Sequence, residues 1–88
     1  MPDGSASPPL YWTRDAHGWI APCGEEGQGE ARVLGYSNGW AWIVDMLPGT
    51  DEAVITAGRA HASLDEAKRL AEQQVAAWPV PIDGARQL

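Results

Sequence analysis

SNGWAWIVDM, residues 37–46, decides how the rest of the chain is read. It opens on a turn signal, Asn38-Gly39, and continues in strand formers. Side chains alternate across a strand, so Trp40, Trp42, Val44 and Met46 share one face while Ala41, Ile43 and Asp45 share the other. A half-buried strand alternates apolar with polar residues, but here both faces are largely apolar. The chain must cover two sides of a sheet or leave one open.

Outward from this stretch, ARVLGYS (31–37) runs into the turn and pairs with WAWIVDM as a hairpin. A type I′ turn at Asn38-Gly39 is expected, because both residues accept positive φ. Upstream, LYWTR (10–14) and WIAPC (19–23) read as two strands joined by the DAHG turn. Pro22 cannot donate to a ladder, which places its strand at an edge or ends it there. Downstream, LPGTDE (47–52) connects to a last strand, AVITAGR (53–59).

Ser63-Leu64-Asp65-Glu66 then fits a capping box: the Ser hydroxyl accepts from the third helical N–H and Glu66 reaches back. In LDEAKRLAEQQVAAW, residues Leu64, Ala67, Ala71, Val75 and Trp78 form one stripe with Leu70 and Gln74 beside it. Glu66, Arg69, Glu72 and Gln73 face outward, and Pro79 ends the helix. A helix of this length spans ~22 Å with a diameter of ~10 Å. With strands ~4.8 Å apart, it shields two or three of them on one side only.

The predicted fold is therefore α+β: an antiparallel meander of four to five strands, packed on one face by a single C-terminal α-helix. Residues 1–9 read as a flexible arm, 10–78 as one domain, and 79–88 as a loose tail whose Val80 and Ile82 are able to dock. The bulkier face of Trp40, Trp42 and Val44 is assigned to the helix. Ala41, Ile43 and Asp45 then look away, beside residues such as Ile20 or Leu34. An open apolar patch marks a partner surface, unless the acidic loop or the tail folds over it. A homodimer built sheet to sheet or edge to edge would meet the same need.

Composition narrows the function. A chain of 88 residues has room for one domain. Formal charge is −6, and the single Lys and five Arg are scattered. Without a basic stripe, direct binding of DNA or RNA is not expected; a basic protein partner, or imitation of a nucleic acid's charge, suits this balance better. One cysteine, Cys23, excludes an intramolecular disulfide and points to a reducing, cytoplasmic setting. No signal-peptide pattern and no apolar run of ~18 residues is present, so no membrane partner is expected.

Catalytic groups are sparse. Cys23, His17 and His61 are the only side chains that offer a thiol nucleophile and a base, but no flanking signature accompanies them. Their spacing matches no zinc pattern. GEEGQGE (24–30) lacks the Lys and Ser/Thr of a phosphate loop, and lacks the alternating ligands of a calcium loop. The expectation is a non-enzymatic protein with no cofactor. Its candidate contact residues are the acidic Glu25, Glu26, Glu30, Asp51 and Glu52, and the apolar Tyr11, Tyr36 and Ile43. Asp65 and Glu66 suit a helix N-terminus instead.

The Trp-rich hairpin GWAWIVD, the strand ending in Gly-Arg-Ala, and the helix start SLDEAKRLAEQQV resemble small proteins of phages and mobile elements from GC-rich bacteria. These look like β-meanders closed by one helix. They include anti-CRISPR inhibitors, which bind Cas effectors, mostly without catalysis and often through acidic surfaces. The resemblance covers residues 10–78. It implies a phage-encoded inhibitor in the cytoplasm that occupies a basic nucleic-acid-binding surface of a host protein, such as a CRISPR–Cas effector. A self-associating structural or assembly protein is the alternative. The strand–helix order also looks like part of a double-stranded-RNA-binding domain, but the chain lacks that family's N-terminal helix and Lys-rich start to the final helix.

Overall fold

The computed structural model describes residues 10–23, 28–60, 63–78 and 80–87. Among these, six strands and one helix follow one another: β1 (Thr13–Arg14), β2 (Gly18–Cys23), β3 (Gly29–Tyr36), β4 (Gly39–Met46), β5 (Val54–Ala60), α1 (Leu64–Ala77) and β6 (Arg86–Gln87). The strands form one antiparallel sheet in sequence order, a meander, with α1 lying across β3, β4 and β5. The two strands beyond the core of four are the short edge pieces β1 and β6.

The β3–β4 hairpin forms, but one residue earlier than Asn38-Gly39 suggests. Tyr36 pairs with Gly39, so Ser37 and Asn38 make the turn. Neither takes a positive φ, as a type I′ turn would demand; Leu47 is the one described non-glycine residue that does. Gly39 instead opens β4 at φ 148°, a conformation that side chains with a Cβ rarely adopt. The dipeptide signal works through its glycine at the strand's first position.

Register places Ala21, Ala31, Trp42 and Thr56 on the helix side, along with Cys23, Val33, Val44, Met46 and Ala60; all are buried. Ala67 and Ala71 are the fully buried apolar positions of α1. Their small side chains let the helix come down onto Trp42, which is only 1% exposed. On the other flank of Trp42 stands Gly58, where a Cβ would lie 2.6 Å from the indole Cζ2. The indole thus fills space left by small residues on both strand and helix. Ser63 caps α1 by accepting the Glu66 N–H at 3.1 Å.

Pro22 sits opposite Glu30, where β1 no longer flanks β2, so its missing donor falls on an edge. The entering chain is held by the helix: Glu72 Oε2 accepts from the Trp12 indole N–H at 2.9 Å and from the Leu10 amide at 3.2 Å. Lys68 Nζ lies 3.8 Å from the centre of the Trp19 ring, a cation–π contact. Glu72, read from the sequence as facing outward, is therefore a clasp.

The segment after the helix is bonded where the sequence suggests a loose tail. Gln74, fully buried, donates to the Val80 carbonyl at 3.1 Å and accepts from the Ile82 amide at 2.9 Å. Both functions of its amide are satisfied, and the chain is led on to pair with β5 as β6. Ile82 packs against the core, whereas Val80 stays 64% exposed. Pro79 and the arm 1–9 lie outside the described residues.

Gly58→Ala should destabilise the protein by about 1–3 kcal/mol in urea unfolding, because the added methyl overlaps an indole with no room to retreat. Adding Trp42→Phe should recover part of that loss; equal and additive losses would show that the two residues do not share space.

Candidate protein-binding surface

The face of the sheet away from α1 is built from the alternate residues of each strand. One cross-strand row reads Ile20, Arg32, Ile43, Ala57 and Arg86. The next, towards the β3–β4 turn, holds Leu34, Ala41 and Arg59. The row at the opposite end holds Pro22, Glu30, Asp45 and Ile55. Ile20, Leu34, Ala41 and Ile43 are half-buried by their neighbours in the sheet, while Tyr36 and Ile55 are 54% and 37% exposed.

A shallow concavity of about 680 Å³ lies on this face, with Ala41, Ile43 and Ala57 in its lining and Tyr36, Arg59, Gly84 and Arg86 around them. The C-terminal segment contributes Gly84 and Arg86 to the rim, then runs beside β5 as a strand instead of crossing the face. No described segment lies over Ile43. Tyr36 also borders a second depression of about 380 Å³, with His17, Arg32, Leu34 and Gly35.

Charge is sorted along the face. Arg32 Nε donates to Glu30 Oε2 at 2.8 Å, and its Nη1 lies 3.9 Å from Asp15 Oδ2. The Asp15 carboxylate also closes the β1–β2 turn by accepting from the His17 and Gly18 amides, and the His17 bond chiefly holds its pKa below the ordinary value. The Glu30 carboxylate in turn raises the pKa of Arg32. Arg59 and Arg86 have no carboxylate within ion-pair distance among the described residues. Arg59 lies over the Tyr36 ring at 5.6 Å. At the other end Asp45 Oδ1 is buried with no hydrogen-bond partner.

The predicted contact residues separate accordingly. Ile43 and Tyr36 come together in the lining of one concavity, whereas Tyr11, 87% exposed, lies outside it. Asp51 and Glu52 are exposed in the β4–β5 connection, which meets the start of β3 where the Leu47 amide donates to the Gln28 carbonyl at 2.7 Å. Glu30 belongs to that same end of the sheet but is bound to Arg32 instead of standing free. Glu25 and Glu26 lie outside the described residues. Sequence reasoning passed over Arg59 and Arg86, since placing them beside Ile43 needs the β4–β5 and β5–β6 registers.

Chemistry elsewhere is muted. Cys23 is buried on the helix side, its Sγ 3.6 Å from Met46 Sδ, and His17 is exposed in the turn at the other end of β2. Burial, helped by the Glu30 and Asp45 carboxylates, pushes the Cys23 thiol up to about 11. His61 is outside the described residues. Among the described residues no group of three or more His, Cys, Asp or Glu is placed to hold a metal, and no helix is long and apolar enough to cross a membrane. No known protein family, curated protein or solved structure matches the chain.

Cys23 should react with a thiol reagent at pH 8 at least about a hundredfold more slowly in the folded protein than in urea, since little of it is thiolate. Its raised pKa means that the folded state prefers the neutral thiol. The stabilisation is complete below the ordinary value of 9.0 and falls away as pH rises from there towards 11. Equal labelling rates in both states would contradict this burial.

Proposed function

We propose that the protein is a non-enzymatic protein-binding module that presents the acidic end of its sheet to a basic surface of another protein. The observation that supports this most is the meeting of two connections at that end. The start of β3 and the β4–β5 connection are joined through Leu47 and Gln28, which puts exposed Asp51 and Glu52 at the same end of the sheet as the paired Glu30 and Asp45. Among the described residues, neither Asp51 nor Glu52 forms an ion pair. A groove that holds a nucleic-acid backbone is the surface this charge complements. The reading is that of a cytoplasmic, phage-type inhibitor acting by occupation, with a CRISPR effector as the partner class to test.

Added in excess to a guide-loaded Cas effector, the protein should release duplex DNA target in an electrophoretic mobility assay. Asp51→Lys with Glu52→Lys should weaken that effect about tenfold or more. Raising salt from about 50 mM to about 300 mM should weaken it steeply, because exposed charges are screened. Retention of all the DNA at large excess, or an effect indifferent to both salt and charge reversal, would sink the reading.

A further inference from the structure

The open face has an apolar centre, the Asp45 carboxylate at one end and the Arg59 guanidinium at the other, neither of them in an ion pair among the described residues. Ile43 occupies the middle of β4, with Ala41 on one side and Asp45 on the other. Arg59 pairs in register with Ala41, so the acidic and basic groups flank Ile43 along the strand direction. A surface patterned in this way complements an inverted copy of itself. From this we infer that a second copy of the chain occupies the open face, in a two-fold dimer packed sheet against sheet with strands antiparallel.

The required symmetry is simple. A two-fold axis lying in the plane of the face and crossing β4 near Ile43 sets that residue against its own copy. The same rotation exchanges the two ends of the strand. Asp45 then comes opposite Ala41 of the second copy and its β5 neighbour Arg59. Each contact occurs twice, so one charge pair in the sequence gives two in the dimer. Arg86 and Arg32 share the row of Ile43 and so come opposite their own copies; Arg86 does so at the border of the face, where its stem covers apolar surface and its head remains in water, and Arg32 stays bound to Glu30.

Size agrees with this occupant. Strands β2 to β6, of six, eight, eight, seven and two residues, at ~3.3 Å per residue and ~4.8 Å apart give a face of roughly 500 Å² in projection. Standard interfaces bury about 800 Å² of accessible surface per partner, so the open face is of the right order once side-chain relief is counted. Aligned sheets pack at about 30° to each other, with apolar side chains meeting in the middle and charge at the rim. Ile43, Ala41, Ala57 and Leu34 supply such a centre; Tyr36, Arg59 and Asp45 supply the rim. On this face Glu30 is neutralised by Arg32, and the repulsion between the net charges of the two copies is screened by salt.

This inference rests on the open face being an interface and is independent of the partner proposed for the acidic end. Sedimentation velocity from about 1 to about 100 µM should show reversible conversion of wild type from monomer to dimer. Arg59→Glu and Asp45→Lys should each raise the dissociation constant at least about tenfold, because each sets like charges together twice. An equimolar mixture of the two variants should restore the dimer, since opposite charges again meet at both contacts. Ile43→Lys, on a half-exposed position, should give a monomer with unchanged circular dichroism and keeps the test open if Asp45→Lys fails to fold. A wild-type monomer throughout this range, or dimers that persist in both Ile43→Lys and Arg59→Glu, would overturn the proposal. Asp51→Lys with Glu52→Lys should remain dimeric, which separates this interface from the acidic end.

Discussion

The close fit of the Trp42 indole between Gly58 and the alanines of α1 is the constraint from which the rest of this small structure follows. Burying an indole contributes several kcal/mol of transfer free energy, and a chain this short has few such residues to spend on one side. Space for it exists because β5 has no side chain at Gly58 and α1 has only methyl groups at Ala67 and Ala71. With the helix committed to that face, the other face of β4 has no helix to meet. Among the described residues, its apolar side chains are consequently sheltered by their neighbours in the sheet alone.

Edges are handled by contacts that are partly polar. The incoming chain is fixed by a carboxylate and an ammonium on the helix, through Glu72 and Lys68, against the indoles of Trp12 and Trp19. The outgoing chain is fixed by the buried amide of Gln74. Buried polar groups of this kind are costly when half satisfied and give direction when fully satisfied. Here they bring β1 and β6 onto opposite borders of the sheet, and with β6 comes Arg86. The cationic corner of the open face thus depends on a glutamine inside the core.

Much of this was legible in the sequence, and the reasons are local. Period-two alternation in WAWIVDM gives the two faces, and bulk alone ranks Trp42 above Ile43 for the helix side. The Ser63 cap and the stripe of small and apolar residues give the helix. The hairpin was legible too, but its register slipped by one, because the signal from Gly39 is its own φ and not that of Asn38. What stayed hidden depends on long-range pairing. Nothing near Gln74 announces that it holds Ile82, and nothing near Arg59 announces Ala41 beside it. Glu30 looks free in a loop-like run of glycines and glutamates until the alternation of β3 sets it next to Arg32.

The central claim is that the two faces of β4 differ in kind, one closed by tight packing and the other, among the described residues, sheltered by its own sheet alone. Chemical denaturation of Ala67→Leu and Ala41→Leu, the same change made on either side, tests this most directly. The account predicts a loss of about 1–3 kcal/mol for Ala67→Leu, from overpacking against the indole, and a change within about 0.5 kcal/mol for Ala41→Leu at low protein concentration. Equal losses, or a larger one at Ala41, would contradict it.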